Sequence, residues 1–260
     1  MKSKVWLTTV LACGLLAYSA ETPAQRDDSS TLYVVVDCMK STSSDYVSVE
    51  TDLWLPVHQA LVDAGKRNSW ALYEVAYGSR SDCDYYTVTT YRGEDQLNAD
   101  PDYAGVFAEV HSSSRARDAM VRTEASRVRV STELWRTIDS TAIGDHRYAA
   151  INRMRADDPL TYEEMESRAF KAAHQVLLDE GYRSGWAVYE LVAPAGTGIP
   201  WNYATVDLMN ELGPVPMADA MLTANPGRDL EELYDLLELR EQVHSEIWSR
   251  IAFTKAPSED

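Results

Sequence analysis

Apolar positions along this chain change period several times, and they do so in the same order twice. Leu32-Tyr33-Val34-Val35-Val36-Asp37-Cys38-Met39 is a β-branched run with apolar residues on both faces, which predicts a buried strand. Tyr148-Ala149-Ala150-Ile151-Asn152-Arg153-Met154-Arg155 answers it in the second half, Met39 aligning with Met154. A helix-period segment follows in each half, with Ser44 or Asp45 as the expected cap of the first and Thr161 of the second. Tyr46 and Glu50 recur there as Tyr162 and Glu166. Pro56, where the second copy has Ala172, predicts a kink or restart in the first helix. Gly65 and Gly181 close these helices at a position that favours a left-handed residue. Two strands come next in each half, over residues 69–77 with 85–91 and 185–192 with 202–208. An irregular stretch rich in Asp, Asn, Pro and Gly then leads to an expected last helix, about residues 116–138 and 229–251.

The likeness of the halves extends to single residues. His58-Gln59-Ala60-Leu61-Val62-Asp63-Ala64-Gly65, with Trp70-Ala71-Leu72-Tyr73-Glu74 after it, returns as His174-Gln175-Val176-Leu177-Leu178-Asp179-Glu180-Gly181 and Trp186-Ala187-Val188-Tyr189-Glu190. Such a repeat means two copies of one supersecondary unit. Its order is β-α-β-β-α; residues 251–254 offer a weak closing strand to the second copy, and none is identified in the first. A right-handed crossover makes strand two parallel to strand one and sets strand three antiparallel between them, the ferredoxin-like βαββαβ arrangement.

The N-terminus belongs to neither copy. Lys2 and Lys4 precede an apolar run from Val5 to Ala17 and small residues up to Ala20, the pattern of a secretory signal peptide over residues 1–20. Residues 21–30 read as a flexible leader. Export, most simply to a periplasm, is therefore expected; a lipid anchor on Cys13 is the rival reading. No later apolar run is long enough to cross a bilayer. Loss of Lys2 and Lys4 would take the formal net charge from −17 to about −19. So acidic a surface repels phosphate backbones, which argues against nucleic acid as a partner.

Cys38 and Cys83 remain after cleavage. In an oxidising compartment a disulfide is the default, and the topology supports it: Cys38 ends the first strand and Cys83 precedes its antiparallel neighbour. Two free, packed thiols are the alternative.

Two such units, with a helix-to-strand segment reading His-Gln-x-Leu-x-Asp-x-Gly…Trp-x-x-Tyr-Glu, resemble the dimeric α+β-barrel superfamily. That group includes the antibiotic-biosynthesis-type monooxygenases and the NIPSNAP-like proteins. The resemblance implies an α+β fold of tandem ferredoxin-like repeats, residues 31–144 and 145–260, forming an intramolecular α+β barrel. It also implies sites in the cleft between each sheet and its helices. One chain would complete the barrel, so a monomer suffices. Chlorite dismutase-like haem proteins also pair two such units, but no matching haem motif is present.

Candidate chemistry is sparse. His58 and His174 border an apolar helical stripe and read either as a base or axial ligand facing a cavity, or as repeated structural histidines. Glu74 and Glu190 would be acids or bases if both sheet faces are covered, or strand-end carboxylates bonded to arginine. Arg127 and Arg240, placed on the last helix, would hold an anionic ligand or pair with Glu74 or Glu190. Trp70, Tyr73, Trp186 and Tyr189 read as a ligand cleft or as core. No dinucleotide, phosphate-loop, zinc-protease or nucleophile-elbow motif occurs, and no metal-ligand spacing. Three functions stay open: a binding module for a small apolar or aromatic ligand, without a cofactor; a monooxygenase-type oxidative enzyme, cofactor-independent or haem-dependent; and an assembly protein.

Overall fold

Eight antiparallel strands close on themselves in the computed structural model, which describes residues 31–256 apart from positions 81 and 100. The expected signal peptide, leader and Cys13 lie outside the described residues. The first repeat contributes β1 (Leu32–Ser41), β2 (Ser69–Tyr77), β3 (Tyr85–Arg92) and β4 (Arg127–Ser140). The second contributes β5 (Tyr148–Arg155), β6 (Gly185–Ala193), β7 (Tyr203–Met209) and β8 (Glu241–Phe253). The order around the barrel is β1-β3-β2-β8-β5-β7-β6-β4. Within each repeat the third strand lies between the first and second, as the ferredoxin-like order requires.

The expected last helices are corrected. Helix Ser113–Ser126 stops where β4 starts, and helix Leu230–Asp235 gives way to a short 3-10 turn and then β8. Leu230, Leu233, Leu237, Val243, Ile247 and Ile251 match a helical stripe in the sequence, but from Glu241 onward the residues alternate. Glu246 and Trp248 are buried while Ile247 and Ile251 are not. Tertiary pairing decides the matter. β4 bonds to β1 on one side and β6 on the other, and β8 to β5 and β2. Strands of 14 and 13 residues are long enough to run across both sheets. The closing strands are thus the longest in the fold rather than weak or missing.

The long helix of each repeat packs on the outer sheet face and is built alike in both. An α-helical segment widens to a π-turn, Glu50–Trp54 or Glu166–Phe170, before α-helix resumes as Leu55–Asp63 or Lys171–Asp179. Because the second copy does this without a proline, Pro56 is not the cause. It sits in the first turn of the resumed helix, where a missing N–H costs least. Asp158 rather than Thr161 caps the second helix, accepting from the Thr161 N–H at 3.3 Å. Asp45 makes no such side-chain bond. Gly65 and Gly181 do adopt left-handed φ values of 67° and 82°.

Cys38 and Cys83 are bonded, with Cα atoms 5.4 Å apart. The bridge spans 45 residues, and closing a loop of that length in the unfolded chain is worth about 4 kcal/mol. A Cys38→Ala/Cys83→Ala variant is expected to keep the barrel but to lose stability of that order in urea titrations. A midpoint equal to that of the parent protein would contradict this.

Candidate functional site

Alternation along β2 and β6 splits the four predicted aromatics between two compartments. Trp70 and Trp186 point outward beneath the helices; Tyr73 and Tyr189 point into the barrel. Each tryptophan carries its histidine. His58 stacks on Trp70 with ring centroids 4.5 Å apart, and His174 on Trp186 at 5.0 Å. The resemblance ends there. Trp70 is paired across the sheet with Thr89, whereas Trp186 is paired with Asp207. Among the described residues the polar partner of His58 is the Arg67 guanidinium; burial, helped by that charge, holds its pKa well below the usual histidine range. His174 Nδ1 lies 3.3 Å from the Asp207 carboxylate, which Arg183 Nε also approaches at 3.4 Å. Burial drives its pKa down to about 4, Asp207 opposing and Arg183 adding to the shift. The ring is neutral near pH 7, with a carboxylate beside Nδ1 and its edge in the cleft.

Arg127 and Arg240 are not helical. Arg127 is the first residue of β4, and Arg240 immediately precedes β8. Their partners are Glu50 and Glu166, each 1% exposed on the π-turn of the long helix. These two pairs tie each helix to the start of its closing strand. Glu74 and Glu190 pair instead with Arg80 and Arg136, and both are more than a third exposed. The enclosure on which an acid or base role for them rested is absent.

In the second repeat the space under the helix is an open cleft of about 310 Å³. Its walls include Met154, Phe170, Trp186, Met217, Met221 and Leu233, with Glu166, His174, Asp207 and Arg240 among them. Glu166 accepts from Arg240 through Oε1, and its buried Oε2 has no hydrogen-bond partner among the described residues. In the first repeat Trp54 stands where Phe170 does. Phe107 and Tyr103 pack edge-on against it at 5.4 and 6.5 Å, and Arg127 lies over its face. One cleft is filled by aromatic rings while its counterpart holds space.

A second cavity, about 450 Å³, occupies the barrel itself. Tyr73 donates to His146 Nε2 at 2.9 Å. Arg153 is clamped between Glu133 at 3.1 Å and Glu246 at 3.9 Å. Trp135 and Trp201 donate to Glu133, and Trp248 to Glu246. Sequence reasoning missed this network. Its signal was visible, since Glu133-Leu134-Trp135 repeats as Glu246-Ile247-Trp248; only a strand period places Glu and Trp on one face.

Among the described residues, no group of three or more His, Cys, Asp and Glu is arranged to hold a metal ion. The open cleft also suits haem poorly. Its cation Arg240 is already paired with Glu166, and Asp207 adds further negative charge where anionic propionates would need cations.

The lowered pKa of His174 makes stability depend on pH. The unfolded chain takes up a proton near pH 6.5, the folded chain only near pH 4, so stability falls as pH drops through that window. Between pH 7 and pH 5 the residue's share of the loss is about 2 kcal/mol. Urea titrations at the two pH values should show a smaller drop, by about that amount, for His174→Gln. Equal drops would mean that the folded ring titrates normally.

No protein-family model and no curated protein sequence matches the chain. Among solved structures, a candidate monooxygenase from Fusobacterium nucleatum has a TM-score of 0.50 at 8% identity, covering 88% of this chain and 96% of that one. A candidate monooxygenase from Lactobacillus acidophilus gives 0.49 at 9% identity, with 88% and 97% covered. An anthrone oxidase-like protein gives 0.45 at 12%, with 90% and 96% covered. At 8% identity the likeness to the Fusobacterium nucleatum protein is one of fold. The chain has the fold of the dimeric α+β-barrel superfamily, with both halves of the barrel supplied by one polypeptide.

Proposed function

We propose that the chain is an exported small-molecule-binding protein whose ligand site is the sheet–helix cleft of the second repeat. The observation that carries this reading is the pairing of that open apolar cleft with the unsatisfied Glu166 Oε2 at its wall. A buried carboxylate oxygen without a donor costs free energy, which a ligand N–H or O–H would recover. The expected ligand is an apolar or aromatic body bearing one such donor. The Cys38–Cys83 bridge supports placement outside the reducing cytosol.

The second reading is an oxidative enzyme of the monooxygenase type, and the His174–Asp207 pair favours it. Asp207 lies beside Nδ1 of a neutral imidazole whose other nitrogen could take a proton from a substrate in the cleft. His58, with no carboxylate beside it among the described residues, has no such arrangement.

Fluorescence titration of the purified protein with 2-aminonaphthalene tests the cleft. Ala218 lines it, so Ala218→Phe should fill the space and weaken binding more than tenfold, with thermal stability retained. Undiminished binding in that variant would refute the site. The binding reading further expects a colourless protein that consumes no oxygen with bound aromatics. Turnover that His174→Gln abolishes while leaving affinity intact would transfer the assignment to the enzyme, and a Soret band would bring in haem.

A further inference from the structure

We propose that the barrel lumen is a second ligand site, specific for an uncharged aromatic molecule that carries a hydroxyl group. This inference is independent of the cleft. An eight-stranded barrel has an interior just wide enough for side chains to fill. Here four inward positions, on β2, β5, β6 and β7, are alanines: Ala71, Ala149, Ala187 and Ala204. The space they leave, about 450 Å³, is of the size that small-molecule sites have. It is not sealed, because Arg92 and Ile143, both exposed, stand among its lining residues.

The polar groups in this space fall into two classes. Most are already satisfied. Arg153 has two carboxylates, those carboxylates receive three indole N–H groups, and Tyr73 donates to His146. His146 is kept neutral by burial, and its Nδ1 lies 3.2 Å from the Gly144 carbonyl, so Nε2 is left as the acceptor. Tyr189, the counterpart of Tyr73 in the second repeat, has no such partner among the described residues, and its hydroxyl is open to the cavity. Burial holds that phenol neutral, with its pKa pushed up to about 12. Arg153 Nε–H is a second donor without a partner among the described residues, and it is buried.

This inventory selects the ligand. The cluster of Arg153 with two glutamates carries one excess negative charge, which disfavours an anion beside it; the exposed Arg92, bonded to Asn68, is the other cation along the lining, and both carboxylates of the cluster are already occupied. A neutral ring can lie against Trp135, Val88 and Val206 while its hydroxyl meets Tyr189.

Titration of the full chain with 2-naphthol, followed by quenching of tryptophan fluorescence, tests the proposal, with 2-naphthalenesulfonate as the anionic control. Saturable binding of 2-naphthol is expected, with the sulfonate at least tenfold weaker. Tyr189→Phe keeps the shape and should weaken naphthol about fivefold. Ala204→Leu, which fills the lumen, should weaken it more than tenfold. The cleft also admits an O–H donor, so these titrations are made in the Ala218→Phe background, where the cleft is filled, and a failed cleft reading and a failed lumen reading then give different results. Absence of saturable binding, equal affinity for the sulfonate, or affinity unaltered in Tyr189→Phe would overturn the proposal. The same holds if Ala218→Phe by itself abolishes the binding of 2-naphthol. Should Ala204→Leu fail to fold, the near-isosteric Tyr189→Phe decides.

Discussion

Everything in this molecule depends on two strands that each hydrogen-bond to both sheets. A four-stranded ferredoxin-like sheet leaves edges with unpaired N–H and C=O groups. Here β4 leaves its own sheet beside β1 and continues against β6, while β8 leaves β5 and continues against β2. Closure removes the edges and turns one face of each sheet into a shared interior. It also fixes where the polar residues of the closing strands must go. Glu133 and Glu246, two positions from Trp135 and Trp248, are carried inside and need a cation, which Arg153 supplies. Breaking such a cluster by removing one partner leaves an uncompensated buried charge, a loss of about 3–5 kcal/mol.

The same strands determine how the helices sit. Each begins at or beside an arginine that reaches a glutamate on the π-turn of its repeat's long helix. A π-turn breaks the regular i→i−4 ladder, and such turns recur at functional sites. Its presence in both copies, with and without a proline, shows that the proline is not its cause, and in both the glutamate that opens it pairs with an arginine of the closing strand or beside it.

Duplication therefore produced two equal frames that were furnished differently. Trp54 against Phe170 decides which cleft is filled. Thr89 against Asp207 decides which histidine has a carboxylate. Cys38 against Arg153 decides which half of the interior holds a disulfide and which a charge cluster. Equivalent positions in the repeats are thus not equivalent sites. The cleft of the second repeat and the lumen are the places where small side chains and unmatched polar atoms coincide.

Local physics made much of this legible from the residues alone. The repeat, the order of strands within each unit, the left-handed glycines at Gly65 and Gly181, and the Cys38–Cys83 bridge follow from period, turn chemistry and handedness, which act over short stretches of chain. The recurrence of His58 and His174 marked equivalent helix positions, each over its tryptophan. Tertiary structure alone decided the rest. Residues 127–140 and 241–253 satisfy a helical stripe almost as well as a strand, and partner strands distant in sequence choose between them. Their misreading displaced Arg127 and Arg240 from their true partners and hid the Glu-x-Trp pairs. Whether Glu74 is enclosed, and whether alanines at positions 71, 149, 187 and 204 face each other across empty space, depends on barrel closure. Closure is a property of the whole chain, and no window of sequence contains it.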